Sequence, residues 1–188
     1  MKRKLLILSV LAICIATLAA GSLAYFNTEQ KARNVITSGN IDIALQEWAD
    51  KEKTEPFPEN GVSGVMPGSE VTKIVEVKNT GSSDAWVRVK VTKDISLAEG
   101  VEAQVDLGLL KLDCDKGYWT EKDGYYYYHE ALKPGETTKA LFAAVTFDSA
   151  MGNEYQNATA TVDVLAQAVQ TANNGESVME AQGWPEAE

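Results

Sequence analysis

The chain has 188 residues, with 17 Lys and Arg against 27 Asp and Glu, for a net charge of −10. So acidic a protein is excluded as a nucleic-acid binder and is repelled by anionic membrane surfaces. One histidine and two cysteines leave little material for catalytic or metal chemistry.

Lys2, Arg3 and Lys4 precede an apolar run from Leu5 to Ala20, followed by small residues with Ser22 and Ala24 at the −3 and −1 positions of a signal-peptidase site. This predicts a signal peptide over 1–24, cleaved before Tyr25. The alternative is an uncleaved anchor, but the run is short of the ~20 apolar residues that span a bilayer. Cleavage removes three basic residues and no acidic one, leaving 14 Lys and Arg against 27 Asp and Glu, a net −13. Cys14 leaves with the signal, so Cys114 has no partner in the mature chain. It is either a small buried hydrophobe or a cross-link between subunits. The 164 residues that remain suit one domain with a sizeable core, held by packing and not by internal disulfides.

Residues 25–40 form an N-terminal arm or first strand, and Ile41, Ile43 and Leu45 then alternate as in a half-buried strand. Residues 46–66, rich in charge, Pro and Gly, predict a long surface loop. Pro67-Gly68 opens a strand from Val71 to Asn79, in which Lys73 falls on the same side as Val71, Val75 and Val77. Over 85–91 the alternation is the clearest in the chain, with Ala85, Val87, Val89 and Val91 on one side and Trp86, Arg88 and Lys90 on the other. Ser96 to Ala103 is compatible with a helical turn, and strand parity from Val105 onward predicts a strand there. Asp123-Gly124 between aromatic runs marks a hairpin over 118–128. Its four tyrosines put rings on both faces, one for the core and one for solvent, a loop or another subunit.

Pro134-Gly135 repeats the earlier turn, which is read as one device used twice at equivalent corners of a single sandwich. A strand with Leu141, Ala143, Val145 and Phe147 on one side follows, then a last strand over 159–169. From residue 171 to 188 the reading is a short polar tail, with one short helix around Ser177 to Gln182. Seven or eight short alternating strands predict an all-β fold, a single β-sandwich over 41–170 with long loops.

Several of these segments resemble one family. The order of small residues, Ala24-Tyr25-Phe26-Asn27, a polar spacer and Ser38-Gly39-Asn40-Ile41-Asp42-Ile43 is similar to the TasA/camelysin family of Gram-positive bacteria, whose precursors carry the SipW-dependent type of signal peptide. Pro67-Gly68 with Asn79-Thr80-Gly81-Ser82, and Tyr155-Gln156-Asn157 before the last strand, fit the same pattern; residues 46–66 and 94–117 do not match it. The resemblance implies a jelly-roll or Ig-like sandwich, processing by a SipW-type signal peptidase, and a secreted life at the cell surface or in the biofilm matrix. It also implies self-association into fibres, or association with other matrix proteins, by lending an N-terminal strand. Tyr25, Phe26, Val35 and Ile36 are the apolar residues of that arm, and pairing within its own sheet stands beside pairing with a neighbour. Contact with the membrane is then limited to the signal before cleavage.

Camelysin-type members are described as zinc peptidases, but His129-Glu130-Ala131-Leu132-Lys133 puts Lys where a second zinc-binding histidine belongs. No catalytic residues, metal site or cofactor are expected. Asp113, Asp115 and Gly117 match only the beginning of a calcium loop and read as a turn. The sequon at Asn157 is read as incidental. The main alternative to a structural subunit is a surface module binding carbohydrate or protein through Trp86, Trp119 and Tyr125 to Tyr128.

Overall fold

The computed structural model describes the backbone of residues 34–37 and all atoms of residues 41–59, 61–62 and 66–185. Ser22, Ala24, Tyr25 and Phe26 lie outside the described residues. The fold is all-β and contains ten strands among the described residues: β1 (Asn34–Thr37), β2 (Ile43–Trp48), β3 (Glu70–Thr72), β4 (Ile74–Asn79), β5 (Ala85–Ser96), β6 (Leu110–Leu112), β7 (Trp119–Lys122), β8 (Tyr125–Tyr128), β9 (Ala144–Phe147) and β10 (Thr159–Gln170).

One sheet has the order β1-β10-β5-β8-β7. Its axis is the antiparallel pair β5–β10, in register over twelve residues from Ala85↔Gln170 to Ser96↔Thr159. Because side chains alternate, this register sets Val87 beside Ala168, Val89 beside Ala166 and Val91 beside Val164 on the inner face. It sets Trp86 beside Val169 and Arg88 beside Gln167 on the outer face.

The opposing layer joins β2-β4 and β3-β9-β6. Residues 135–143 run along the free side of β4, with Val75 N–H bonded to Phe142 O, Leu141 N–H to Val75 O and Thr138 N–H to Val77 O. The two Pro-Gly turns cap this pair of chains from opposite ends with the same pair of bonds. Gly68 N–H donates to Phe147 O while Phe147 N–H donates to Ser69 O; Gly135 N–H donates to Asn79 O while Asn79 N–H donates to Glu136 O. Each glycine has a positive φ, +81° and +82°, which the second corner residue of such a turn requires. Between the layers lies the core of Ile43, Leu45, Val75, Val77, Val87, Val89, Leu141, Phe147, Val162 and Ala166 among others. Full burial of each large aliphatic side chain stabilises the fold by about 1.5–3 kcal/mol.

Four local expectations change. The strand expected over Ile41, Ile43 and Leu45 runs on to Trp48 as β2, with Glu47 in an inward position opposite Val75. The loop after it is not wholly a surface loop, since Phe57 is buried. Val105 does not open a strand: Asp106 turns its carboxylate back to Gly108 N–H at 2.8 Å, making a 3-10 turn over Leu107–Leu109, and only Leu110–Leu112 pair with β9. Residues 96–103 hold no helical turn; strand β5 extends through Ser96 and Val101 N–H then closes a tight turn on Ala98 O.

The C-terminal segment is neither a free tail nor helical. It makes two turns, Asn174 N–H to Thr171 O and Glu180 N–H to Ser177 O, and lies across the outer face of the five-stranded sheet. There Val178 packs with Trp86, Tyr127 and Val169 in a second apolar cluster, with Tyr125 and Trp184 at its margin.

Candidate functional site

The residues singled out from the sequence fall in four separate places. Val35 and Ile36 lie in β1, which pairs in parallel with β10 of its own chain in the register Val35↔Ala166 and Ile36↔Gln167. β1 is therefore an edge strand, reached directly from the expected arm, and it covers the main-chain groups of β10 that face away from β5.

The aromatic residues do not form an exposed patch. Trp119 and Tyr128, cross-strand partners with ring centroids 5.0 Å apart, face the core. Trp86 and Tyr127 face outward, yet they are only 7% and 9% exposed because the C-terminal segment covers them. Trp86 Nε1–H donates to Asn174 O at 3.1 Å. Trp184 meets Tyr127 edge-on at 6.0 Å, and the Arg88 guanidinium lies between the rings of Tyr125 (3.9 Å) and Trp184 (4.6 Å). Arg88 Nε also donates to Gln167 Oε1 at 2.7 Å, and Gln167 Nε2 donates to Pro185 O. A ligand stacking on this surface would have to displace the chain's own C-terminal segment, so the sugar-stacking reading of these aromatics is corrected.

The third place is a cleft of about 650 Å³ where the two layers part, beside β6 and β7, lined by Val91, Lys93, Leu112, Cys114, Trp119 and Tyr126 among others. Lys93 falls on the inner face opposite Val162 and closes the seam by donating to the carbonyls of Leu107 and Leu110 at 3.0 and 2.8 Å. The cleft also holds the Asp-x-Asp-x-Gly segment. Asp113 Oδ1 accepts from Ala143 N–H and Ala144 N–H at 2.8 and 2.7 Å, and Asp115 Oδ1 accepts from Gly117 N–H at 2.6 Å. These carboxylates tie the segment to β9 and shape its turn. Among the described residues no three His, Cys, Asp or Glu side chains are grouped to hold a metal ion.

Cys114 is half-buried in this cleft and has no disulfide. Burial pushes its thiol up, against a hydrogen bond with Tyr126, and the charges of Asp113 and Glu121 push it further. The Tyr126 hydroxyl is raised as well, burial again being the largest cause. A thiol so placed is a poor nucleophile at neutral pH. Iodoacetamide should therefore alkylate the folded protein several-fold more slowly than the urea-unfolded chain at the same pH, as read by intact mass; equal rates would mean a thiol freely open to solvent.

His129, the fourth place, is exposed after β8, with Nε2 2.8 Å from Thr120 Oγ1. Comparison with protein-family models, curated proteins and solved structures finds no match to this chain.

Proposed function

We propose that the chain is the precursor of a secreted structural protein, a TasA-like fibre subunit of the cell surface or biofilm matrix. It is exported on residues 1–24, cut after Ala24 by a SipW-type signal peptidase, and assembled by self-association, without enzymatic activity. The observation that carries this reading is β1: a four-residue edge strand, in parallel pairing with β10, at the end of an arm that cleavage would free. If β1 leaves, β10 offers a full row of unpaired backbone groups, which a second copy's arm can occupy by strand addition. The single histidine, exposed and bonded to a threonine, supports the non-enzymatic reading over a camelysin-like peptidase.

Deleting residues 25–37 from the secreted form tests the proposal. The expected product keeps a β-rich circular dichroism spectrum and loses all high-mass species in analytical sedimentation. Unchanged assembly would sink the reading, as would failure of the intact mature protein to assemble at all.

A further inference from the structure

The outer face of the second layer carries a groove of about 360 Å³ lined by Gln46, Trp48, Lys53, Glu76, Thr137, Thr138 and Lys139. The strand register makes it. Gln46 and Trp48 project outward from β2 beside Glu76 and Ile74 of β4, and Thr137 stands beside Lys78 across the next chain. The loop after β2 folds back so that Pro56 pairs with Trp48, and this brings Lys53 over the groove, its Nζ 2.5 Å from Glu76 Oε1. Asp50 braces the loop: hydrogen bonds from Glu55 N–H, and then from Thr54, hold its carboxyl below the usual range.

Two features of the groove are energetically out of balance. The indole N–H of Trp48 is buried and has no acceptor among the described residues, whereas those of Trp86, Trp119 and Trp184 each donate to a backbone carbonyl. A buried donor left unpaired costs about 1–3 kcal/mol. Lys53, which lines the groove and holds its carboxylate Glu76, sits at φ +56°, a left-handed conformation unfavourable for a side-chain-bearing residue by about 1–2 kcal/mol. Its side chain remains 44% exposed, so water readily takes over the ammonium, whereas the Glu76 carboxylate, 6% exposed, needs another donor in its place.

We propose that this groove binds a carbohydrate chain and that Lys53 is the latch the sugar displaces. A pyranose presents hydroxyls that both donate and accept, with an apolar C–H face. The groove offers an indole wall, a carboxylate that accepts, an ammonium and an indole N–H that donate, and the two-way groups of Gln46 and Thr137. Opposite charges at Glu76 and Lys139 disfavour a ligand of either net sign. An extended peptide is also disfavoured, because the groove lies on the face of a sheet whose backbone groups here are already paired between β2 and β4. When the latch lifts, a ligand oxygen takes the indole N–H and a ligand hydroxyl replaces Lys53 on Glu76.

Calorimetric titration of the mature protein with cellotetraose and chitotetraose tests the proposal. Binding of at least one is expected; chitotetraose alone assigns the acceptor to an acetamido oxygen, and binding of both assigns it to a hydroxyl. Trp48→Phe, which keeps a ring and loses the N–H, should bind about tenfold more weakly, the scale of one hydrogen bond. Without ligand, the same variant should melt at an equal or higher temperature, because the orphaned donor is gone. Glu76→Gln should also weaken binding, and Lys53→Ala should tighten it. Binding of neither sugar overturns the proposal, as does affinity unchanged by Trp48→Phe and Glu76→Gln, or weakened by Lys53→Ala.

Discussion

Lys73→Met should lower the unfolding free energy by about 3–5 kcal/mol in urea melts, and Glu47→Leu should lower it by a similar amount. Lys73 is 0% exposed, between β3 and β4, with its Nζ 2.7 Å from Glu47 Oε1 and 4.2 Å from the centre of the Phe57 ring. The geometry follows from parity. Ile43, Leu45 and Glu47 share the inner side of β2, Lys73 shares the inner side with Val75 and Val77, and the backbone bond from Phe57 N–H to Glu47 O seats the aromatic ring over the ammonium. Lys73→Met leaves the Glu47 carboxylate buried without the ammonium beside it, and Glu47→Leu takes from the buried ammonium the carboxylate 2.7 Å away; that loss inside a desolvated site is what the single variants report. Replacing both, as Glu47→Leu with Lys73→Met, removes both charges from the interior and fills the space with apolar atoms. The double variant should therefore be at least as stable as the parent. A single variant costing under about 1 kcal/mol would show that the remaining charge reaches water.

That pair also marks the boundary of what the sequence disclosed. Strands β5 and β10 were legible because the alternations over 85–91 and 159–169 are hard to mistake, though β5 runs on to Ser96, and Lys73 was visible as a charge on an apolar side. Its partner was not, since Glu47 stands just past the apolar alternation of Ile41, Ile43 and Leu45 and reads as part of the charged loop over 46–66. Val105 to Leu109 misled in the opposite direction. Their parity is strand-like, but a local bond from Gly108 N–H to the Asp106 side chain outweighs a pattern with no sheet to join. The outer aromatics show a third limit. Alternation placed Trp86 on the side away from Val87 and Val89 and tyrosine rings on both faces, yet nothing periodic announces that Val178 and Trp184, two apolar residues in a polar stretch, cover Trp86 and Tyr127. For the groove, the sequence gives a lone Trp48 beside a loop; only the fold brings Glu76 and Thr137 to it.

Val178→Asp should release this C-terminal cover while leaving the sandwich folded. Val178 is 2% exposed and packs on Trp86, Tyr127 and Val169, a cluster separate from the main core between the sheets. A carboxylate in that position would sit among the apolar contacts of Trp86, Tyr127 and Val169, so the segment undocks instead of burying the charge. The loss is bounded by the net docking energy of the segment. The contacts of Val178 and Trp184, the bond from Trp86 to Asn174 O and that from Gln167 to Pro185 O are set against the entropy of ordering the segment, so the loss is smaller than the sum of those contacts. Three signals should appear together: a red shift of tryptophan emission as Trp86 meets water, rapid proteolysis between residues 172 and 185, and a protease-resistant fragment ending near Gln170. Release also exposes Trp86, Tyr127 and Val169 on one sheet face, so the variant should bind hydrophobic dyes and associate at high concentration. Single-step unfolding without that fragment would mean that the segment is part of the main cooperative unit, and unchanged proteolysis would mean that Val178 does not anchor it.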